Sequence, residues 1–153
     1  MAVSVAVRAR AEAVWSELSE IADHVTWMRD AVAIRFLGAQ RRGIGTAFAC
    51  DTRIGPFRVT DVMEVTEWEP RAVIAVRHVG RVGGDGRFSL EAGIGDGDGT
   101  TTVRWVERLA LPWWLGGRLG GRAARPLLRA VWAGNLQRLR RRVEERARGP
   151  VVG

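Results

Sequence analysis

Apolar positions along the chain follow two rhythms. From Ala2 to Val7, and again from Ala31 to Leu111, they recur at every second residue. From Ala123 to Arg148 they recur at every third or fourth. In that last stretch Leu127, Leu128, Val131, Trp132, Asn135, Leu136, Leu139 and Val143 form one stripe, and Arg129, Arg138, Arg140, Arg141, Arg142 and Arg146 occupy the rest of the turn. At ~1.5 Å per residue this predicts a helix roughly 35 Å long, with its arginines on the solvent side. A helix of that kind needs a surface to cover, and a sheet provides one.

The two-residue rhythm predicts the sheet. Val3, Val5 and Val7 mark a first strand, followed by AEAVWSELSEIADHVTWM, where Val14, Trp15, Leu18 and Ile21 fit a helical face. A second short helix is expected to start at Asp23 or Thr26, leaving His24 on a surface-like helix end. Six strand-like runs follow: Ala31–Gly38, Gly45–Gly55, Phe57–Pro70, Ala72–Gly80, Gly86–Ile94 and Thr100–Leu111. Their separators, GAQRRG, IGPF, EPRA, GRVGGDG and GDGDG, carry turn chemistry. Gly95–Gly99 is read as a hairpin turn, since it lacks the further acidic ligands of a calcium loop. Turns this short require antiparallel neighbours. Arg35, Arg53, Arg58, Arg77, Arg87, Arg104 and Arg108 at intervening positions predict one wet and one covered face. The expected fold class is α+β, a seven-stranded curved antiparallel sheet with the long helix across its inner face and two short helices after the first strand. Residues 1–148 read as one domain and 149–153 as a frayed tail.

Composition adds limits. No apolar run approaches the ~20 residues of a membrane span. The N-terminal sequence has no signal-peptide pattern, and the single cysteine, Cys50, cannot form an intrachain disulfide, so a reduced cytoplasmic setting is expected. The formal net charge is +7, and all 24 basic residues are arginine. That bias reads as the mark of a GC-rich bacterial genome. The arginines lie on a helix face without interleaved aromatics, which argues against nucleic acid as a partner. Between the last strand and the long helix, LPWWLGGRLGG places Trp113, Trp114 and Leu115 side by side. They either staple the loop to the core, form an apolar lip on an opening, or, with nearby arginines, touch a membrane surface transiently. Monomer and dimer both remain open.

The order of strand, two short helices, six strands and one long helix resembles the helix-grip arrangement of the START-like (SRPBCC) superfamily, in particular its polyketide cyclase/dehydrase and lipid-transport branch. VWSELSEIADHVTWM, EVTEWEPRAVIAV, GDGTTTVRWVERL and GNLQRLRRRVE carry the resemblance, which spans Ala2 to about Glu145. It implies an apolar cavity between sheet and helix that holds a hydrophobic small molecule such as a lipid, quinone or polyketide. No single catalytic motif is shared across that superfamily, so no catalytic residue is carried over.

Alternation puts Val32, Ile34, Phe36, Phe48, Ile54, Val59, Met63, Ile74, Val76, Phe88, Leu90, Val103 and Trp105 on the covered face, together with the polar Cys50, Thr52, Asp61, His78, Thr101 and Glu107. The expected ligand-contacting set is Phe48, Cys50, Val59, Met63, Val76, His78, Phe88, Leu90, Val103 and Trp105 from the sheet, with Val131, Trp132 and Asn135 from the helix. Gly134, inside that middle turn, is read as a place where ligand or sheet comes close. His78 with Asp61 or Glu107 is the one acid–base set, set against a purely structural role for the same residues. Two histidines and one cysteine fall short of a zinc site, and Cys50 has no base beside it. No phosphate loop, nucleophile elbow or cofactor motif is present, so no cofactor is expected. The leading expectation is a binder or carrier of a hydrophobic ligand; the alternative is a cyclase/dehydrase-like enzyme on an aromatic polyketide-type substrate.

Overall fold

A computed structural model describes residues 1–93 and 99–149. The readings of the Gly95–Gly99 turn and of the terminal tail therefore fall almost wholly outside the described residues. Seven strands form one antiparallel sheet: β1 (Ala2–Val7), β2 (Ala31–Phe36), β3 (Ala47–Ile54), β4 (Phe57–Glu69), β5 (Val73–Val79), β6 (Gly83–Ala92) and β7 (Thr101–Ala110). Their order is β1-β7-β6-β5-β4-β3-β2. From β2 to β7 every strand pairs with the next in sequence, while β1 closes against β7. The chain must therefore pass from one sheet edge to the other between β1 and β2. Helix α1 (Ala11–Leu18) and a 3-10 helix (Ile21–Thr26) make that passage. The arginines expected on the wet face are all exposed.

The long helix, α2, spans Gly117–Ala147 and starts six residues before the expected boundary at Ala123. The glycine-punctuated run conceals this start, because it carries no apolar stripe. The glycines serve backbone packing instead: Gly116 takes a left-handed φ of 86°, and a Cβ on Gly120 would strike the Leu115 carbonyl.

Helix α2 is anchored over its second half only. Its buried residues are Trp132, Asn135, Leu136, Leu139, Val143 and Glu144, and none lies N-terminal to Trp132. Leu136 and Leu139 pack with Val3, Val5 and Val7 of β1, Val14 and Leu18 of α1, and Val103 of β7. Three arginines expected to face solvent instead pin this half. Arg142 donates to Glu17 at 2.6 Å, Arg146 pairs with the same carboxylate, and Arg138 donates to the Trp27 carbonyl at 2.9 Å. Glu144, also buried, accepts the Arg8 N–H at 2.9 Å. Burial of a carboxylate is tolerated where such partners replace water.

Two readings need correction. His24 is buried, with its Nε2 2.8 Å from the Leu18 carbonyl, because the 3-10 helix turns it inward against Trp27 and Phe88 rather than outward. On β2, a register shift between Ala31 and Ala33 inverts the start of the strand, so Ala31 points inward and Val32 is exposed.

The unequal anchoring of α2 predicts unequal mutational costs, readable by urea unfolding. Leu136→Ala, at 0% exposure, should cost ~2–5 kcal/mol, while Leu119→Ala, at 77% exposure, should stay within ~0.5 kcal/mol. Gly134 is not a site of close approach: an added Cβ would meet nothing nearer than the Arg138 guanidinium at 3.6 Å. Gly134→Ala should therefore stabilise the protein by roughly 0.5–1 kcal/mol.

Candidate functional site

Because the first half of α2 stays above the sheet, a space remains beneath it. This cavity of about 480 Å³ lies between two packed clusters. One contains Ile74, Trp105 and Trp132; the other contains Ile21, Ala31, Phe48 and Cys50, and all seven residues reach the cavity wall. Along β7 the inward positions run Trp105, Glu107, Leu109, with Leu111 just beyond the strand. The floor is thus aromatic: Phe88 and Trp105 have ring centroids 4.9 Å apart, and Trp105 and Trp132 5.2 Å apart. The rim comprises Ile54 and Phe57 from the β3–β4 hairpin, Leu111 and Leu115 after β7, and Leu127 and Leu128 of α2.

Most of the wall is apolar; Asp30, Thr52 and His24 stand in it singly, and one cluster of charged side chains interrupts it. His78 on β5 bridges Asp61 on β4 and Glu107 on β7: its Nδ1 bonds Asp61, and its Nε2 lies 2.7 Å from Glu107 Oε1. Trp105 Nε1 donates to the second oxygen of Glu107 at 2.7 Å, and the Val82 N–H points at Asp61 Oδ1 at 3.4 Å.

The bridge crosses a whole strand. β5 and β7 flank β6, so their side chains stand roughly 10 Å apart at ~4.8 Å per strand. Between them β6 presents Gly84 opposite His78 and Leu109, and Gly86 opposite Val76 and Glu107. A Cβ at Gly86 would fall 2.6 Å from Glu107 Oε2. The missing side chain of Gly86 is thus the gap through which His78 reaches Glu107, while Gly84 answers to the backbone, where a Cβ would strike the Arg108 carbonyl. The GGDG segment, read from sequence as turn, is in fact the start of β6.

The electrostatics follow from this geometry. Burial alone disfavours the imidazolium, but the two carboxylates outweigh it and raise His78 to about 9. His24, also on the cavity wall, has no such partner; burial dominates, and it falls to about 4 despite the Leu18 carbonyl. The cavity wall therefore carries one protonated and one neutral histidine at neutral pH. Burial likewise pushes the Cys50 thiol up to about 11, too high for a nucleophile. Among the described residues no group of side chains could hold a metal ion.

Of the residues singled out from sequence, Phe48, Cys50, Val59, Met63, Val76, His78, Phe88, Trp105 and Trp132 line the cavity, with Asp61 and Glu107. Leu90, Val103, Val131 and Asn135 do not. Val103 is fully buried in the packing under α2, and Leu90 and Val131 pack against the same cluster. Asn135 is spent on structure: its Oδ1 accepts the Arg29 N–H at 3.1 Å and its Nδ2 donates to Asp30 at 2.6 Å. The polar Thr101 is likewise committed, donating to the Ala9 carbonyl at 2.8 Å. His24, Asp30, Leu111, Leu115, Ala123, Ala124, Leu127 and Leu128 line the cavity without having been singled out as ligand contacts. The helical face of Leu127 and Leu128 was the available signal for the last two.

Several solved structures share this architecture. A Thermus thermophilus protein matches with a TM-score of 0.74 at 15% identity, covering 98% of this chain and 99% of its own. The Zhui aromatase/cyclase from Streptomyces sp. R1128 matches at 0.70 and 21% identity, over 97% and 95% of the two chains. A START superfamily protein from Mycobacterium smegmatis matches at 0.63 and 17% identity, over 97% and 96%. No curated protein matches the sequence. The helix-grip fold is thus that of START-like proteins. Residues 1–144 match the family described as polyketide cyclase / dehydrase and lipid transport, and the chain belongs to that family.

Proposed function

We propose that this protein binds and carries a hydrophobic small molecule, of lipid, quinone or polyketide-like kind, in the cavity beneath α2. The observation that carries this reading is an apolar space of about 480 Å³ with aromatic floor and aliphatic rim, interrupted by one polar cluster. A drug-sized ligand occupies a space of this order, held by apolar walls and oriented by a few polar groups. The cluster also constrains the ligand's polar end. Both protons of the His78 imidazolium are committed to Asp61 and Glu107, so the atoms left to a ligand are carboxylate lone pairs. A hydroxyl or enol donor fits them, whereas an anionic group would face two carboxylates in a low-dielectric wall.

The second reading is a cyclase/dehydrase-like enzyme. The two carboxylates in the cavity wall favour it, since either could take a proton from a bound enol or methylene. His78 is a poor base in this setting: it keeps its proton to about 9 and has both nitrogens occupied. Carrier function asks for nothing more than the geometry in hand, so it is the preferred reading.

Native mass spectrometry of protein purified without detergent should reveal a bound apolar molecule. Val76→Phe, which narrows the cavity from β5 without adding an indole, should abolish both that adduct and the quenching of the protein's tryptophan fluorescence by an added hydroxylated polycyclic aromatic. Retained binding in this variant would place the ligand elsewhere.

Glu107→Gln keeps an acceptor oxygen and separates the two readings. A carrier should lose no more than a few-fold in affinity for the same aromatic. An enzyme that uses Glu107 as base should lose 100-fold or more in turnover, on the order of a general base's contribution.

The histidines predict a pH profile. NMR should find His78 titrating near 9 and His24 near 4. Unfolded, both titrate near 6.5. His78, raised on folding, contributes stability that is complete below about 6.5 and lost as pH rises through about 9. His24, lowered on folding, withdraws stability as pH falls from about 6.5 towards 4. Stability across this window should peak near 6.5. Gly86→Ala, which displaces Glu107, should lower the His78 value and flatten the alkaline limb; an unchanged value would refute the role given to the glycine gap.

A further inference from the structure

The rim of the cavity continues outward into an exposed apolar surface. Trp113 is 87% exposed, and Trp114, Leu119, Leu127 and Phe57 are exposed as well. Phe57 and Leu127 belong at once to this surface and to the cavity opening. Single exposed apolar residues are ordinary; Phe57 and Leu127 in the cavity lining, with Trp113, Trp114 and Leu119 exposed in the segment that carries the lining residues Leu111, Leu115 and Gly120, are not.

The charge around this patch has one sign. No acidic residue occurs between Glu107 and Glu144. Arg118, Arg122, Arg125 and Arg129 project from successive turns of the unanchored half of α2, all exposed. Arg58 and Arg81 share a groove with Trp114 on the sheet side of the opening. The one carboxylate in that groove, Asp51, is held by Arg35 at 2.7 Å and by the Thr60 hydroxyl at 2.7 Å.

We infer that this rim is a docking surface for an anionic bilayer, through which the cavity exchanges its ligand directly with the membrane. The inference rests on the reading of the cavity as an apolar-ligand site. A bilayer surface supplies both complements at once: an interfacial layer in which tryptophan is favoured, and anionic headgroups that attract arginine. A second copy of this chain fits poorly, because a two-fold interface would bring arginine rows face to face without acidic partners. Insertion is shallow: no helix among the described residues is long and apolar enough to cross a membrane. With Trp113 and Trp114 in the headgroup layer, the opening faces the acyl chains, and an apolar ligand enters without crossing water.

Flotation of the full chain with vesicles tests this. Binding is expected to vesicles of phosphatidylcholine with 30% phosphatidylglycerol, not to phosphatidylcholine alone, and should fall in 0.5 M salt. Trp113→Ala and Arg118→Glu/Arg122→Glu should each weaken it tenfold or more. These residues do not line the cavity, so the variants should bind the soluble aromatic as the parent does. Absence of binding to anionic vesicles, equal binding by the variants, or a solution dimer that Trp113→Ala dissolves would overturn the docking surface. Loss of aromatic binding in the parent protein would instead overturn the cavity reading, with vesicle binding left standing.

Discussion

Anchoring of α2 at one end only is the constraint on which the rest of the structure depends. The C-terminal half is fixed twice, by Leu136, Leu139 and Val143 against β1 and β7, and by Arg142 and Arg146 on the buried Glu17. With direction and height set there, the N-terminal half continues over the curved sheet as a roof. Leu127 and Leu128 on its underside line the gap without closing it, and no residue before Trp132 is buried. The cavity follows from leverage: a helix of 31 residues held over its second half must overhang. Asn135 marks the boundary. By taking the Arg29 N–H and the Asp30 carboxylate, it ties the helix to the start of β2 where packed core gives way to open space.

The polar wall obeys a second constraint, the strand spacing. Three ionisable groups on β4, β5 and β7 meet only because β6 contributes no side chain between the last two. The missing Cβ of Gly86 costs the strand some conformational stability. In return His78 acquires two acceptors, and its charge outlasts its burial. A buried ion cluster of this kind adds little net stability over an apolar core, but it fixes the position of its members. In the proposed carrier, such fixed lone pairs on a mostly apolar wall would orient one end of a ligand.

Much of this was legible in the sequence. Period-two alternation through Phe48, Cys50, Met63, Val76, Phe88 and Trp105 gave the inner face, because the sheet has one wet side and the arginines mark it. The clustering of His78 with Asp61 and Glu107 was visible as a possibility, since all three share that parity. What decided it was Gly86 on β6, which sits where the Gly-Gly-Asp-Gly run, with turn chemistry and no alternation of its own, meets the strand-like run Gly86–Ile94. The start of α2 was hidden for the same reason: glycines chosen for backbone approach leave no apolar period. His24 was misplaced because a single 3-10 helix has too few residues to show which side is covered. Val32 was inverted by a bulge, which adds a residue without changing composition. Alternation reports the faces of regular strands, and it fails where glycine or irregular backbone sets the geometry.

Rim and floor carry opposite signs, and the difference has a physical use. Arginines surround the opening, while the acidic groups of the cavity wall, Asp30, Asp61 and Glu107, lie inside. A free anion drawn to the rim gains there what it would lose inside, where desolvation and like charge oppose it. A neutral apolar molecule has no preference for the rim, gains from the aromatic floor in proportion to the area it buries, and can spend a hydroxyl on the carboxylates. The same positive rim that would bring the protein to an anionic surface thus does not admit the headgroups of that surface. In the proposed carrier, selection by charge would act at two depths in opposite directions, and one helix, held at one end, borders both.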